Sequence, residues 1–122
     1  MSNVSSLGLK AILLVDDKDR HRVATKWFLA SFGYAVEAAR NAEEALAIFD
    51  PKVHDVVITG NSMTGMTGIE MAHIIKLRSS GTPVIMFSKV PPEDMSCLNC
   101  VIEEPAHLLA VKEAVDQVLA AR

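Results

Sequence analysis

Along the chain, short runs of apolar residues alternate with amphipathic stretches. Ala11–Val15 (AILLV) is apolar at every position and of strand length, and Asp16–Asp17 ends it. Asp19 can cap a helix from about Arg20 to Phe32. In that helix Val23, Trp27 and Ala30 recur at helical spacing, which points to core packing for Trp27, and Gly33 stands where a left-handed stop belongs. Tyr34–Ala38 follows as a second strand. Asn41, with Glu44 three residues on, opens a helix over Ala42–Phe49 that Pro51 closes. Val56–Thr59 is a third strand, Gly60–Gly68 a loop, and Ile69 to about Leu77 a helix broken by Ser79-Ser80-Gly81. Val84–Phe87 is a fourth strand and Val101–Ile102 a minimal fifth. Pro105 sits early in a last helix over Ala106–Ala121, with Leu108, Leu109, Val111, Val115, Val118 and Leu119 on one face.

Five strands that are apolar on both faces, alternating with helical patterns, call for a parallel sheet covered by helices on both sides. Right-handed crossovers make it doubly wound, with its site outside the carboxyl ends of the strands. Asp16 and Asp17, Gly60, Ser88, and Glu103–Glu104 stand at those ends.

Composition narrows the function. The chain has 122 residues, half of them hydrophobic and 22% charged, which fits one folded domain over 10–122 behind a polar leader at 1–9. A net charge of -3, with no basic stripe, argues against a nucleic-acid or membrane surface. The apolar runs are too short to span a bilayer, and Met1–Leu9 lacks the pattern of a signal peptide. A cytoplasmic protein is expected, with Cys97 and Cys100 reduced.

The segments ILLVDD (12–17), DVVIT followed by M-x-G-M-x-G-x-E (55–70), PVIMFS (83–88) and Pro105 together resemble the receiver domain of two-component response regulators, from Ala11 to about Leu119. The resemblance implies a flavodoxin-like (CheY-like) doubly wound sheet of order 2-1-3-4-5 with helices on both faces. It implies that Asp16 and Asp17 hold Mg²⁺. An aspartate ending the third strand takes a phosphoryl group from a histidine kinase, Ser88 hydrogen-bonds that group, and a lysine before the last proline neutralises it. Phosphoryl transfer needs such an oxygen nucleophile, a bridging cation and donors to the equatorial oxygens.

The sequence departs from this pattern at its most demanding places. The acceptor position is Gly60, the lysine position is Glu104, and Thr64 replaces the loop proline. The site residues Gly60, Ser88, Glu104 and Lys89 are therefore expected to be a vestigial phosphorylation site, with weak or absent Mg²⁺ at Asp16 and Asp17 and no other cofactor. Three converging carboxylates, Asp16, Asp17 and Glu104, would raise one pKa or recruit a cation unless paired. Lys89 is expected to fold over them and pair. Between Ser88 and Glu104 only fifteen residues remain, including Pro91-Pro92, so the family's fourth helix is expected to be shortened or missing.

These features predict a receiver-type signalling domain, not an enzyme, that acts by binding a histidine kinase or a downstream regulator without aspartyl phosphorylation. The alternatives are a phosphorelay receiver with a substitute acceptor such as Asp17, and a thiol or metal sensor at Cys97/Cys100. The C-x-x-C spacing lacks a second pair for zinc, so two ordinary thiols filling the space of the shortened helix are favoured. His21, His54, His73 and His107 show no metal spacing and are expected at the surface or an edge.

Overall fold

The computed structural model describes residues 8–121; most of the expected leader lies outside the described residues. Nine elements follow in order: β1 (Ala11–Val15), α1 (Asp19–Ala30), β2 (Ala35–Ala39), α2 (Ala42–Ile48), β3 (Val56–Gly60), α3 (Gly68–Arg78), β4 (Val84–Ser88), β5 (Cys100–Glu103) and α4 (Leu108–Ala120). All strand pairs are parallel, in the order β2-β1-β3-β4-β5. This is the doubly wound sheet that the alternation requires, in the order that the receiver resemblance implies.

Period-two alternation sends the side chains of the central strands into two cores. Leu13, Val15 and Val57 pack with Ala45 of α2 and with Met71, Ala72 and Ile75 of α3. Ile12, Leu14, Val56 and Ile58 pack on the other face with Leu29 of α1 and with Val111 and Val115 of α4. The edge strands β2 and β5 are only half-buried, unlike β1, β3 and β4, which are buried throughout.

Local chemistry explains the boundaries. The Asn41 side chain accepts the Glu44 amide at 2.7 Å and starts α2. Gly33 adopts φ 94° and stops α1, a conformation that costs a residue with a Cβ strain but glycine none. A capping box between Thr67 and Glu70, not foreseen in the sequence, opens α3 one residue before Ile69. The Thr67 amide holds the Glu70 carboxyl below its usual range. Two expected starts are corrected. Lys18, not Asp19, is the N-cap of α1, because the Asp19 carboxylate accepts from Arg22 at 2.7 Å instead. The last helix opens at Leu108 behind His107, not directly after Pro105, because the backbone at His107 is still extended.

Two further corrections concern which side chains face inward. In α1 the buried residues are Thr25 and Leu29, a pair one turn apart. At 3.6 residues per turn Trp27 lies about 200° from Thr25. It is 73% exposed, and Val23 is exposed beside it. The apolar stripe read as core therefore faces outward. His54, expected at the surface, is 2% exposed. It accepts the Asp50 amide at Nδ1 (3.0 Å), donates from Nε2 to Glu37 (2.8 Å) and stacks on Phe49. No helix lies between β4 and β5, as expected of a fourth helix that is shortened or missing. Among the described residues no helix is long and apolar enough to cross a membrane.

Candidate functional site

The parallel register brings the expected residues together. Val15 pairs with Thr59, Gly60 with Phe87, and Ser88 with Glu103, so the carboxyl ends of β1, β3, β4 and β5 converge on one cleft. A cavity of about 230 Å³ lies there, lined by Asp16, Asp17, Gly60, Ser88, Lys89 and Glu104 among others. The loop after β3 is held close to it. The Asn61 carboxamide accepts the Ile69 amide at 3.1 Å, and the Asn61 carbonyl accepts the Gly68 amide at 3.0 Å. A Cβ on Gly68 would fall 2.0 Å from the Gly60 carbonyl, so this approach of α3 to the end of β3 admits glycine alone.

Gly60 supplies no side-chain oxygen, and its empty side is not open. An ideal Cβ there would lie 3.2 Å from Phe87 Cε2, so the Phe87 ring has closed over the place of a side chain. That ring in turn meets the His21 imidazole, with centroids 5.2 Å apart. His21 Nδ1 is hydrogen-bonded to Asp16 Oδ2. The other Asp16 oxygen accepts the Lys18 amide at 3.0 Å, and the Asp16 carboxylate is 1% exposed. A continuous plug thus runs from Gly60 through Phe87 and His21 to Asp16.

This plug replaces the pairing expected of Lys89. Lys89 lines the cavity but is exposed and makes no ion pair among the described residues. The reason is position. His21 lies in the first turn of α1, directly over the end of β1, whereas Lys89 leaves the sheet with the segment after β4. Asp17 has Lys18 Nζ at 3.9 Å, a surface pair of small energetic weight. Neither aspartate is therefore left to share an unpaired cluster with Glu104. Ser88 is buried, and its hydroxyl donates to the Val90 carbonyl at 2.7 Å, a local bond that turns the chain out of β4. The Glu104 amide donates to the Ser88 carbonyl at 2.9 Å and fixes Glu104 at the cavity wall.

A Mg²⁺ ion asks for several free oxygen ligands in near-octahedral geometry. Both Asp16 oxygens already accept hydrogen bonds, and Gly60 brings no side-chain ligand, so the residues here do not fit a tightly held ion. Among the described residues no group of three or more His, Cys, Asp or Glu converges to hold a metal. The Cys97 and Cys100 spacing does not produce a site either. Cys97 packs against the core shared with α2 and α3, and Cys100 against the core shared with α1 and α4. The two thiols face opposite sides of the sheet.

Sequence reasoning missed His21 and Phe87. His21 carried a usable signal, since a histidine four residues after an acidic strand end falls in the first turn of the following helix. Phe87 carried none, because its role depends on the Gly60–Phe87 register.

A model of the response regulator receiver domain matches residues 12–119. The two-component response regulator ORR27 of Oryza sativa subsp. japonica is 40% identical over 81 residues, 64% of this chain and 13% of that protein. The transcriptional regulatory protein ResD of Bacillus subtilis (strain 168) is 34% identical over 77 residues, 63% of this chain and 32% of that protein. The chain therefore matches less than a third of either relative's length. Among solved structures, response regulator TrrA from Thermotoga maritima, in complex with Mg²⁺-BeF, superposes with a TM-score of 0.84 at 28% identity, covering 91% of this chain and 100% of that one. A CheY-like receiver domain protein from Methanospirillum hungatei JF-1 superposes with a TM-score of 0.86 at 25% identity, covering 93% of this chain and 95% of that one. The sheet order, the cleft at the strand ends and a match over almost the whole length lead to one conclusion: the chain belongs to the response regulator receiver domain family.

Proposed function

We propose that this chain is a cytoplasmic receiver-type signalling domain of a two-component system that takes no phosphoryl group at the end of β3. It acts by binding a partner signalling protein, either a histidine kinase or a downstream regulator. The observation that carries this reading is Gly60 with the Phe87 ring 3.2 Å from the place of its missing Cβ. The acceptor is absent and its space is filled. Three neighbours support the same reading. Glu104 has the wrong charge for the lysine position, the Ser88 hydroxyl is committed to Val90, and Asp16 is committed to His21 and the Lys18 amide.

TrrA, in its complex, holds Mg²⁺-BeF. Here Gly60, Ser88, Lys89 and Glu104 form a vestigial version of such a site. Asp16 and Asp17 bind Mg²⁺ weakly or not at all, and the function requires no metal-dependent step. Binding to a protein is supported by the outward stripe of Val23 and Trp27 on α1, since large exposed apolar side chains in a row mark contact surfaces. The net charge of -3 supports a protein partner over nucleic acid.

The test is incubation with a small acyl phosphate and Mg²⁺, followed by intact-mass measurement. The expected result is an unmodified chain. A stable phosphoryl adduct mapped to Asp17 or any other carboxylate would overturn the proposal.

A further inference from the structure

The segment that replaces the missing helix carries a second cluster of chemically active side chains, on the flank of α3. The Cys97 thiol lies 2.9 Å from Nδ1 of His73. The other ring nitrogen, Nε2, faces Asp94 Oδ2 at 3.4 Å. Sulfur and carboxylate thus occupy opposite edges of one imidazole. They cannot share a metal ion through that ring, but they do form a proton relay. A carboxylate beside Nε2 favours the tautomer with its hydrogen there and leaves the Nδ1 lone pair towards the thiol.

The rest of the cluster supports this arrangement. The Ser96 amide donates to Asp94 Oδ1 at 3.0 Å and orients the carboxylate. Hydrogen bonding from Ser96 foremost, with the charge of His73 adding to it, holds the Asp94 carboxyl below its usual range. Lys76, one turn beyond His73 on α3, brings its ammonium within electrostatic reach of the Cys97 sulfur. That ammonium is fixed by the Thr82 carbonyl at 2.7 Å and the Asn99 side chain at 2.9 Å. Two potential cations beside a partly exposed thiol are the surroundings in which cysteines become reactive. Cys100 is the contrast within the same chain. It has no polar partner among the described residues, and burial pushes its thiol pKa up.

We propose that Cys97 is a nucleophilic thiol, with His73 as its base and Asp94 as the orienting carboxylate, and that it is a modification site for low-molecular-weight disulfides. His73 Nδ1 takes the Cys97 proton, and the thiolate attacks one sulfur of the disulfide. A new S–S bond forms to Cys97 as the old one breaks. The departing thiolate carries away the electron pair and recovers the proton from His73. Cys97 is oxidised and the leaving sulfur reduced, so nothing else is consumed. The adduct breaks the Cys97–His73 contact and adds bulk between α3 and the helix-free segment. This inference goes beyond the proposed function, since it requires neither phosphorylation nor a partner.

The experiment treats the full native chain with oxidised glutathione near neutral pH and follows each cysteine by peptide mass mapping. Cys97 is expected to react roughly tenfold faster than Cys100. In denaturant the two are expected to react alike. His73→Gln, at a side chain 45% exposed, is expected to slow Cys97 several-fold and alter its pH profile without changing Cys100. Asp94→Asn is a second variant expected to act in the same direction, more weakly. Equal native rates at the two cysteines would overturn the proposal. So would a preference that persists in denaturant, or a Cys97 rate and pH profile indifferent to both variants.

Discussion

Placing an aspartate at position 60 is the sharpest probe of the cleft. In Gly60→Asp the new Cβ arrives 3.2 Å from Phe87 Cε2 and 3.6 Å from Cζ, so the ring must shift by a few tenths of an ångström. Removing a glycine from a strand returns about 0.5–1 kcal/mol of backbone entropy. Overpacking at a buried ring costs about 1–3 kcal/mol. Packing therefore offsets or outweighs entropy, and even Gly60→Ala should be less stable by about 0–2.5 kcal/mol. The aspartate adds a carboxylate to a cavity already lined by Asp16, Asp17 and Glu104, with no cation within its lining except the exposed Lys18 and Lys89. Like charges and burial both favour its protonated form, which is a poor nucleophile. Gly60→Asp is thus expected to lose about 2–4 kcal/mol in urea unfolding and to stay unlabelled by a small acyl phosphate with Mg²⁺. Adding Phe87→Val and Glu104→Lys opens the space and restores the positive charge, and labelling should then appear in the intact mass. Stability is not the criterion for that triple variant, because Phe87→Val itself leaves a void. Labelling of the single variant as fast as the triple would refute the role given to Phe87 and Glu104.

Other consequences are open to simpler tests. Thr25 is 1% exposed and its hydroxyl has no hydrogen-bond partner among the described residues, so Thr25→Val should gain about 1 kcal/mol in urea unfolding; a loss would mean that the hydroxyl is bonded in solution. Trp27, the sole tryptophan, should emit as a solvated indole and be readily quenched by iodide, and Trp27→Ala should change stability by no more than about 0.5 kcal/mol. Tyr34, the sole tyrosine, has its pKa pushed from 10.0 to about 12 by burial first and by its hydrogen bond to Asp116 second. The folded chain keeps that proton after the unfolded chain has lost it, so the stability it contributes is complete below pH 10 and disappears as pH rises towards 12. Tyr34→Phe should remove this alkaline loss, and ultraviolet titration of the native chain should show the raised phenol directly.

The departures from expectation concern side chains whose partner is set by three-dimensional placement or whose element could present either of two faces. Asp16 meets His21 rather than Lys89, Cys97 and Cys100 separate to opposite cores, and His54 is buried between Glu37 and Asp50. In α1 the apolar residues do recur at helical period, but Thr25 and Leu29 face the sheet and Trp27 does not. Periodicity identifies a stripe and cannot say which stripe the sheet will cover.

By itself the sequence determined the alternation of strands and helices, hence the doubly wound sheet and the convergence of Asp16, Asp17, Gly60, Ser88 and Glu104 at one end. It also determined that β3 ends in a glycine and that residues 89–103 are too few and too proline-rich for the usual helix. Those properties follow from local propensity, hydrophobic period and residue identity, which are written along the chain. Only the tertiary structure decided that Phe87 closes over Gly60, that His21 rather than Lys89 answers Asp16, and that Cys97 finds His73 and Asp94. Such contacts depend on strand register, helix placement and the direction of each Cβ; a shift of one residue in β4 would send Phe87 to the other face.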